Sequence, residues 1–269
     1  MHERELEVAL DAARRASQHL MQEYARFHVV PDAPADITTE ADRQSQEIIL
    51  QTIRQAFPHD ALCGEEATAS LQASAHTGDR LWIVDPIDGT RGFARKNGEF
   101  SVMIGFVAKG QIGVGIVAQP AVGRVTYALR GHGCWRLDGD ETTPMRCQVT
   151  SAAELAHATL TQSRSREPGR RSRWVEAIGP ARIVESYSAG IKLALVARGE
   201  ADIYLNTYDA FHDWDICAGH ILVVEAGGQV SGTGGQELRY GLPGAWQKHG
   251  LLATNGRLHQ ATLQVIASG

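Results

Sequence analysis

The sequence predicts two joined halves, an α+β half up to about residue 150 and an α/β half after it. Three observations predict this. Residues 3–57 hold two stretches with the apolar period of a helix. Residues 101–137 hold four strand-like runs, most of them separated by glycine turns. From about Thr150 onward, strand-like and helix-like runs alternate.

The elements follow in order. Leu6, Leu10, Ala13, Ser17, Leu20 and Tyr24 recur at helical spacing, which predicts an amphipathic helix over 3–27. Pro31 and Pro34 make 30–36 a loop. A second helix starts near Thr39, presents Ile48, Ile49, Ile53 and Phe57, and is closed by Pro58. The stretch 71–80 reads as an exposed connection. Leu81-Trp82-Ile83-Val84 reads as a buried strand. Pro86 should end it, because proline donates no ladder hydrogen bond.

Ser101–Ala108, 112–119, 125–129 and 134–137 form an antiparallel meander, with turns at Lys109-Gly110 and Gly131-His132-Gly133. The second half reads as strand 158–162, a helix near Trp174, strand 182–185, helix Ala189–Ala197, strand 202–205 and helix 216–226. Gly227-Gly228 stops the last helix. The two halves are therefore 1–150 and 151–269, with no internal repeat between them.

A length of 269 residues permits one large domain or two intimate ones, and 43% hydrophobic residues suffice for a core. The net charge of −5 argues against a nucleic-acid polymer as partner. Arg164, Arg166, Arg170, Arg171 and Arg173 are an exception. They read as a solvated loop and helix start that also attracts anionic small molecules. Cys63, Cys134, Cys147 and Cys217 show no CxxC spacing, so a zinc or redox motif has no support. Residues 1–13 are charged and amphipathic, unlike a secretory leader, and no apolar run is long enough to span a bilayer. The expectation is a cytoplasmic protein with reduced thiols, free of membrane, and either monomeric or homodimeric.

The densest chemistry lies in Asp85-Pro86-Ile87-Asp88-Gly89-Thr90. Two carboxylates stand at a strand end, followed by a glycine that lets backbone approach a ligand. Carboxylates holding Mg²⁺, together with exposed N–H groups, suit a phosphate ester. Gly64-Glu65-Glu66, Trp214-Asp215 and Thr39-Glu40-Ala41-Asp42 supply further acids. Haloacid-dehalogenase phosphatases use Asp-x-Asp-Gly-Thr, whose first Asp is a covalent nucleophile. Here that position is Pro86, which has no nucleophilic atom, and Asp85 is one residue out of register.

In order and spacing, these segments resemble the lithium-sensitive, Mg²⁺-dependent phosphatase superfamily of inositol monophosphatases, 3'(2'),5'-bisphosphate nucleotidases and fructose-1,6-bisphosphatases. The matching pattern is Glu65-Glu66, then Asp85 to Thr90, then Trp214-Asp215-Ile216-Cys217-Ala218-Gly219. It covers the chain from about residue 12 to about residue 255. The resemblance implies a layered αβαβα sandwich and an enzyme that binds two or three Mg²⁺ ions. It implies that Glu65, Asp85 and the carbonyl of Ile87 hold a first ion, and that Asp85, Asp88 and Asp215 hold a second. It implies that Thr90 hydrogen-bonds Asp42 and that this pair orients the attacking water, so Glu65, Thr90 and Asp42 are the catalytic candidates. Asp88, Gly89, Thr90 and Asp215 would face the substrate. Thr39-x-x-Asp42 is also a helix capping box, and Asp42 can serve both roles. Glu66 is either a ligand or an acceptor behind the ligands. Trp214 is an apolar floor, Cys217 and His220 are structural, and His212 lies near the pocket mouth without an assigned task.

Within that superfamily, Arg91-Gly92-Phe93, Asn97-Gly98-Glu99-Phe100-Ser101-Val102, Ser163-Arg164-Ser165 and Ser188-Ala189-Gly190-Ile191-Lys192 are most similar to the bisphosphate-nucleotidase branch. This implies hydrolysis of 3'-phosphoadenosine 5'-phosphate to AMP, with Ser188 and Lys192 reaching the second phosphate. Lys192 also reads as a surface lysine on an apolar helix. Two departures keep single-phosphate substrates such as inositol phosphate or histidinol phosphate open. Asn206 stands where many members have Arg, and the loop 30–36 carries no Lys. The non-enzymatic alternative is a silent phosphate-binding regulator, which the full set of acids and Thr90 disfavours.

Overall fold

The computed structural model describes residues 2–34, 37–164 and 171–268. Two helices open the chain, α1 (Glu3–Arg26) and α2 (Glu40–Ala56). The buried stripe of α1 is Glu5, Ala9, Ala12, Ala13, Ala16 and Leu20. Leu6, Leu10 and Tyr24 of the expected stripe pack along its flank, partly buried. Alanines let the helix lie close to its neighbours, so the face that meets them is centred one position away from the large side chains. At α2 the Thr39 N–H donates to Asp42 Oδ2 at 2.8 Å, closing the capping box.

The first sheet has seven strands in chain order. They are β1 (Ala61–Gly64), β2 (Arg80–Asp88), β3 (Ser101–Ala108), β4 (Gln111–Gln119), β5 (Arg124–Leu129), β6 (Gly133–Asp138) and β7 (Met145–Cys147). Only β1 and β2 run parallel, connected through the short helix α3 (Ala69–Gln72) inside the supposed exposed connection. The helix α4 (Thr90–Ala94) follows β2.

Pro86 does not end β2, contrary to expectation. Asp85 pairs with Met103 and Asp88 with Ser101, so the strand carries one extra residue between them. A bulge tolerates proline because its residue leaves the ladder. In a regular strand, residues three apart point to opposite faces. The extra residue at the bulge returns Asp88 to the side of Asp85.

The second half gives β8 (Thr159–Ser163), α5 (Arg173–Ile178), β9 (Arg182–Ser186), α6 (Ala189–Ala197) and β10 (Ile203–Asn206). It continues with β11 (Phe211–His212), α7 (Asp213–Glu225), β12 (Gln229–Ser231), β13 (Trp246–Gln247), β14 (Leu251–Thr254) and α8 (His259–Ser268). The second sheet has the order β12-β14-β10-β8-β9, parallel through β10, β8 and β9 and antiparallel at β14. The strands β11 and β13 pair as a separate ribbon.

The layers are helix, sheet, helix, sheet, helix. α1 and α2 cover one face of the first sheet with a core that includes Trp82, Phe93, Phe100 and Phe106. Burying a side chain of this size contributes about 1.5–3 kcal/mol. α6 and α7 fill the middle layer against both sheets, with Met103, Val117, Leu193, Ile216, Ile221 and Leu251 in one core. α5 and α8 close the far face around Leu160, Val175 and Leu258. The sheets divide between Cys147 and Thr159, near the expected boundary, yet the middle core runs across that division. α7 lies directly on β3 and β4. A Cβ at Gly115 would fall 2.4 Å from the Ala218 carbonyl oxygen, so only glycine admits this approach. Among the described residues, no helix is long and apolar enough to cross a membrane.

Candidate active site

Three chain segments converge at the end of β2. The bulge supplies Asp85 and Asp88, the loop after β1 supplies Glu65, and the first turn of α7 supplies Asp215. Gln46 of α2 fixes the Glu65 loop: its side chain accepts from the Glu66 N–H at 2.9 Å and donates to the Glu66 carbonyl at 2.5 Å. Glu66 itself accepts from the Thr38 hydroxyl. Asp215 is held by the N–H of His212 at 2.6 Å.

Asp88 is the most tightly gripped of the acids. The N–H groups of Ala189 and Gly190 donate to it at 2.9 and 2.7 Å, and the Ser101 hydroxyl at 3.0 Å. Ser188 adds a fourth donor. Asp88 therefore joins β2 of the first half to α6 of the second.

Asp42 divides its two oxygens. Oδ2 closes the capping box, and Oδ1 lies 3.1 Å from the hydroxyl of Thr90. The Thr90 hydroxyl is also 2.9 Å from the carbonyl of Ile87. Gly89, with φ 87°, makes the turn that puts Thr90 there. Both readings of Asp42 thus correspond to contacts in the structure.

The electrostatics are those of uncompensated negative charge. Burial, then the charges of Glu65, Asp88, Asp215 and Asp42, push Asp85 well above the carboxylate range. Desolvation of the carboxyl, then the facing charges of Asp215, Asp42 and Glu66, raise Glu65 to about 8, although the residue keeps an exposed flank. Burial, then Asp88 and Asp213, raise Asp215 to about 7. Burial raises Asp42 to about 6 against the hydrogen bonds from Thr39 and Thr90. Among the described residues, no Lys or Arg is ion-paired with Glu65, Asp85, Asp88 or Asp215. The nearest partner of this kind is the His212 ring, 3.9 Å from Asp215.

Such a cluster needs a cation or protons, and its oxygen-only donors fit a hard ion such as Mg²⁺ better than zinc. Among the described residues, no three acidic, imidazole or thiol groups close into a cage. Asp85 and Asp88 are buried and Glu65 stands on the exposed side of this acidic rim.

This has a consequence for stability. Ordinary carboxyl values are about 4, so between about pH 6.5 and 8 the folded protein holds protons that the unfolded chain has released. Stability then falls as pH rises through the raised values of Asp215 and Glu65. In EDTA, Tm should be lower at pH 8 than at pH 6.5, and Mg²⁺ should raise Tm more at pH 8. Equal Mg²⁺ shifts at the two pH values would count against the acidic rim as the binding site.

Lys192 and Ser188 depart from the expectation that they touch substrate. Lys192 is 0% exposed. Its Nζ donates to the carbonyls of Ser186 and Tyr187 at 2.9 and 3.4 Å and lies 5.2 Å from the Tyr204 ring. Burial lowers its pKa to about 8. It is neither a surface lysine nor open to a phosphate, because α6 begins inside the molecule and its first turn lies behind Asp88. Ser188 is equally buried and is spent on Asp88, on Ser101 and on capping α6 through the Ile191 N–H at 2.9 Å.

A feature missed in the sequence is the Tyr187 ring. Arg91, Arg95 and Arg164 place guanidiniums 5.1, 6.0 and 5.5 Å from its centroid, next to Ser188. No local pattern signals it, because Arg91 lies in α4, Arg95 caps its C-terminus and Arg164 follows β8. Of the arginine run, Arg166 and Arg170 lie outside the described residues, as do Ser165 and, in the loop 30–36, Ala35 and Asp36. Cys217 is buried and His220 pairs with the Tyr240 hydroxyl at 2.8 Å, both structural as expected.

A five-layer sandwich that gathers acids from three segments at the end of a bulged strand defines a class of phosphatases. The chain belongs to the inositol monophosphatase family, whose sequence profile matches residues 1–268. It is 34% identical over 272 residues to a histidinol-phosphatase of Mycobacterium tuberculosis, covering 98% of each chain. It is 30% identical over 243 residues to the 3'(2'),5'-bisphosphate nucleotidase CysQ of Salmonella typhimurium, covering 87% of this chain and 93% of that protein. The solved structure of an IMPase from Thermotoga maritima superposes with a TM-score of 0.81 at 29% identity, covering 100% of this chain and 98% of that one.

Proposed function

We propose that the chain is a Mg²⁺-dependent phosphomonoester hydrolase that removes the single phosphate of a small metabolite by direct attack of water. The observation that carries this reading is the acidic rim of Glu65, Asp85, Asp88 and Asp215, in which Glu65, Asp85 and Asp215 are raised in pKa and, among the described residues, none of the four is ion-paired with a Lys or Arg. Bound Mg²⁺ would neutralise the phosphoryl oxygens and make water a better nucleophile. Glu65, Asp85, the Ile87 carbonyl, Asp88 and Asp215 are the groups proposed to hold it. Thr90 orients the attacking water, and its hydroxyl passes the hydrogen-bond chain on to Asp42. The grip of Ser101, Ser188, Ala189 and Gly190 keeps Asp88 aimed without further reorganisation.

The burial of Lys192 and the neutral Asn206 remove the two expected cations of a second-phosphate pocket. Histidinol phosphate is therefore the first substrate to test, in keeping with the whole-length relative. A second reading, adenosine 3',5'-bisphosphate, is favoured by the guanidiniums of Arg91 and Arg95 beside Tyr187, the third, Arg164, being ion-paired with Glu99. Phosphate release should be measured on histidinol phosphate, adenosine 3',5'-bisphosphate and inositol 1-phosphate, each with Mg²⁺ and with excess EDTA. Histidinol phosphate should be turned over fastest, with activity lost in EDTA and restored by Mg²⁺. Turnover that persists in EDTA would reject the metal role. A preference for the bisphosphate would favour the second reading.

A further inference from the structure

Lys192 is a buried charge that the proposed chemistry does not use. Lys96, Lys109 and Lys248 all keep solvent contact, and Lys192 has none. Long side chains on a helix lean toward its N-terminus. Lys192 closes the first turn of α6, with its own N–H 3.4 Å from the Ser188 carbonyl, so its side chain runs back past that turn. There Nζ meets the carbonyls of Ser186 and Tyr187, the last two residues before the N-cap. Burial disfavours the ammonium, while the charges of Asp88 and Glu99 favour it. An ammonium removed from water is costly, and a methionine would fill a similar space without that cost. The compensation has to come from what its hydrogen bonds hold.

They hold the segment that supplies Asp88 with donors. Ser188 follows directly, and its hydroxyl acts on Asp88 together with the N–H groups of Ala189 and Gly190. Tyr187 is tied on its other side as well, its N–H donating to Glu99 at 3.2 Å. The segment is pressed against the acid without slack. A Cβ at Gly190 would fall 2.7 Å from Met103 Sδ, 2.8 Å from Ser101 Oγ and 3.1 Å from Asp88 Oδ2. A Cβ at Gly89 would fall 3.1 Å from Ser188 Cα. A helix start packed this closely changes its aim when the carbonyls that anchor it are released.

We propose that Lys192 is a positioning residue: it staples the end of β9 onto the first turn of α6 and thereby fixes the donors that aim Asp88. It acts from behind, through the backbone. Its bearing on metal binding rests on the reading of Asp88 as a ligand. Groups that orient a ligand in this way commonly change metal affinity by about ten- to a hundred-fold.

The test uses the full chain, the variants Lys192→Met and Ser188→Ala, and the double variant, with Mn²⁺ as the metal probe followed by electron paramagnetic resonance. Mn²⁺ affinity should fall about ten-fold in K192M and by less in S188A. The double variant should lose no more than K192M alone, because both changes release the same turn. Wild-type affinity in a folded K192M that merely melts lower would make the lysine structural and overturn the proposal. So would losses that add in the double variant. Amide hydrogen exchange in EDTA reads the hold without any metal. The N–H groups of Ala189 and Gly190 should exchange about ten-fold faster in K192M, while those of Ile221 and Leu222 in α7 keep their rates. Unchanged exchange at Ala189 and Gly190 would overturn the staple. If the wild type binds no Mn²⁺ yet K192M frees these two amides, Asp88 is not a ligand and the staple stands. Should K192M not fold, the wild type supplies the reading. With ¹⁵N-labelled lysine, the buried ammonium should give a slowly exchanging signal that Mg²⁺ shifts. A signal indifferent to bound Mg²⁺ would overturn the link between Lys192 and Asp88.

Discussion

Asp85→Asn is expected to lower kcat/KM by more than about 10³-fold, or ~4 kcal/mol of transition-state stabilisation. Asp85 is 3% exposed and feels Glu65, Asp88, Asp215 and Asp42 together, so it is the one acid placed to serve both proposed ion positions. The substitution also separates chemistry from folding. An asparagine oxygen can still accept from the Ile87 N–H, as Asp85 Oδ1 does at 3.1 Å. Removing one charge relieves repulsion within the cluster, so D85N in EDTA at pH 8 should melt no lower than the wild type. Phosphate-release kinetics in saturating Mg²⁺ together with calorimetry check both halves. A tenth of wild-type activity remaining would sink the role given to Asp85.

The second large effect is expected at Thr90. Thr90→Val keeps the shape and removes the hydroxyl that faces both Asp42 and the Ile87 carbonyl. A hydroxyl has one proton to give and lone pairs to receive, so it can accept from water while donating to Asp42. Valine can do neither. The expected result is a fall in kcat of about 10²–10³-fold, in the range of a positioned proton acceptor. KM and the Mg²⁺ concentration for half-activation should change little, and Thr90→Ser should recover most of the rate. If T90V instead weakens Mg²⁺ activation in proportion to its rate, the hydroxyl serves to hold the Ile87 carbonyl, and the water-orienting role fails.

Much of the architecture was legible because local signals and tertiary packing agree. The meander strands have long apolar runs between glycine turns, and β3 was delimited as Ser101–Ala108. The capping signal Thr39-x-x-Asp42 located the start of α2. What was not legible depends on partners distant in sequence. β1 is four residues ending in glycine, and it is a strand because β2 pairs with it in parallel. The strands β11 and β13, two residues each, exist only as each other's partners. The alternation of Asp85 and Asp88 could not be read from spacing, because the bulge is set by pairing with β3. The acids were found because their chemistry is carried by residue type. Lys192 was misplaced because a lysine within an apolar helix looks amphipathic until the helix is seen to be covered on every side.

The seat of α7 on β3 and β4 has a consequence for natural variation. Gly115 carries no reactive group and is far from Asp215 in sequence, yet its missing side chain sets how near α7 comes to the first sheet. A methyl group there must push the helix outward, since its nearest neighbours include the Ala218 backbone. Asp215 rides on that helix, and an ångström of displacement at a reacting centre can cost a hundred-fold in rate. An orthologue or variant that keeps every acid but gains a side chain at this glycine would score as intact by motif, yet is expected to lose about a hundred-fold in rate. Surveys that judge activity in such chains from the acids alone will miscount them, and the spacing residues under α7 belong in the diagnostic set.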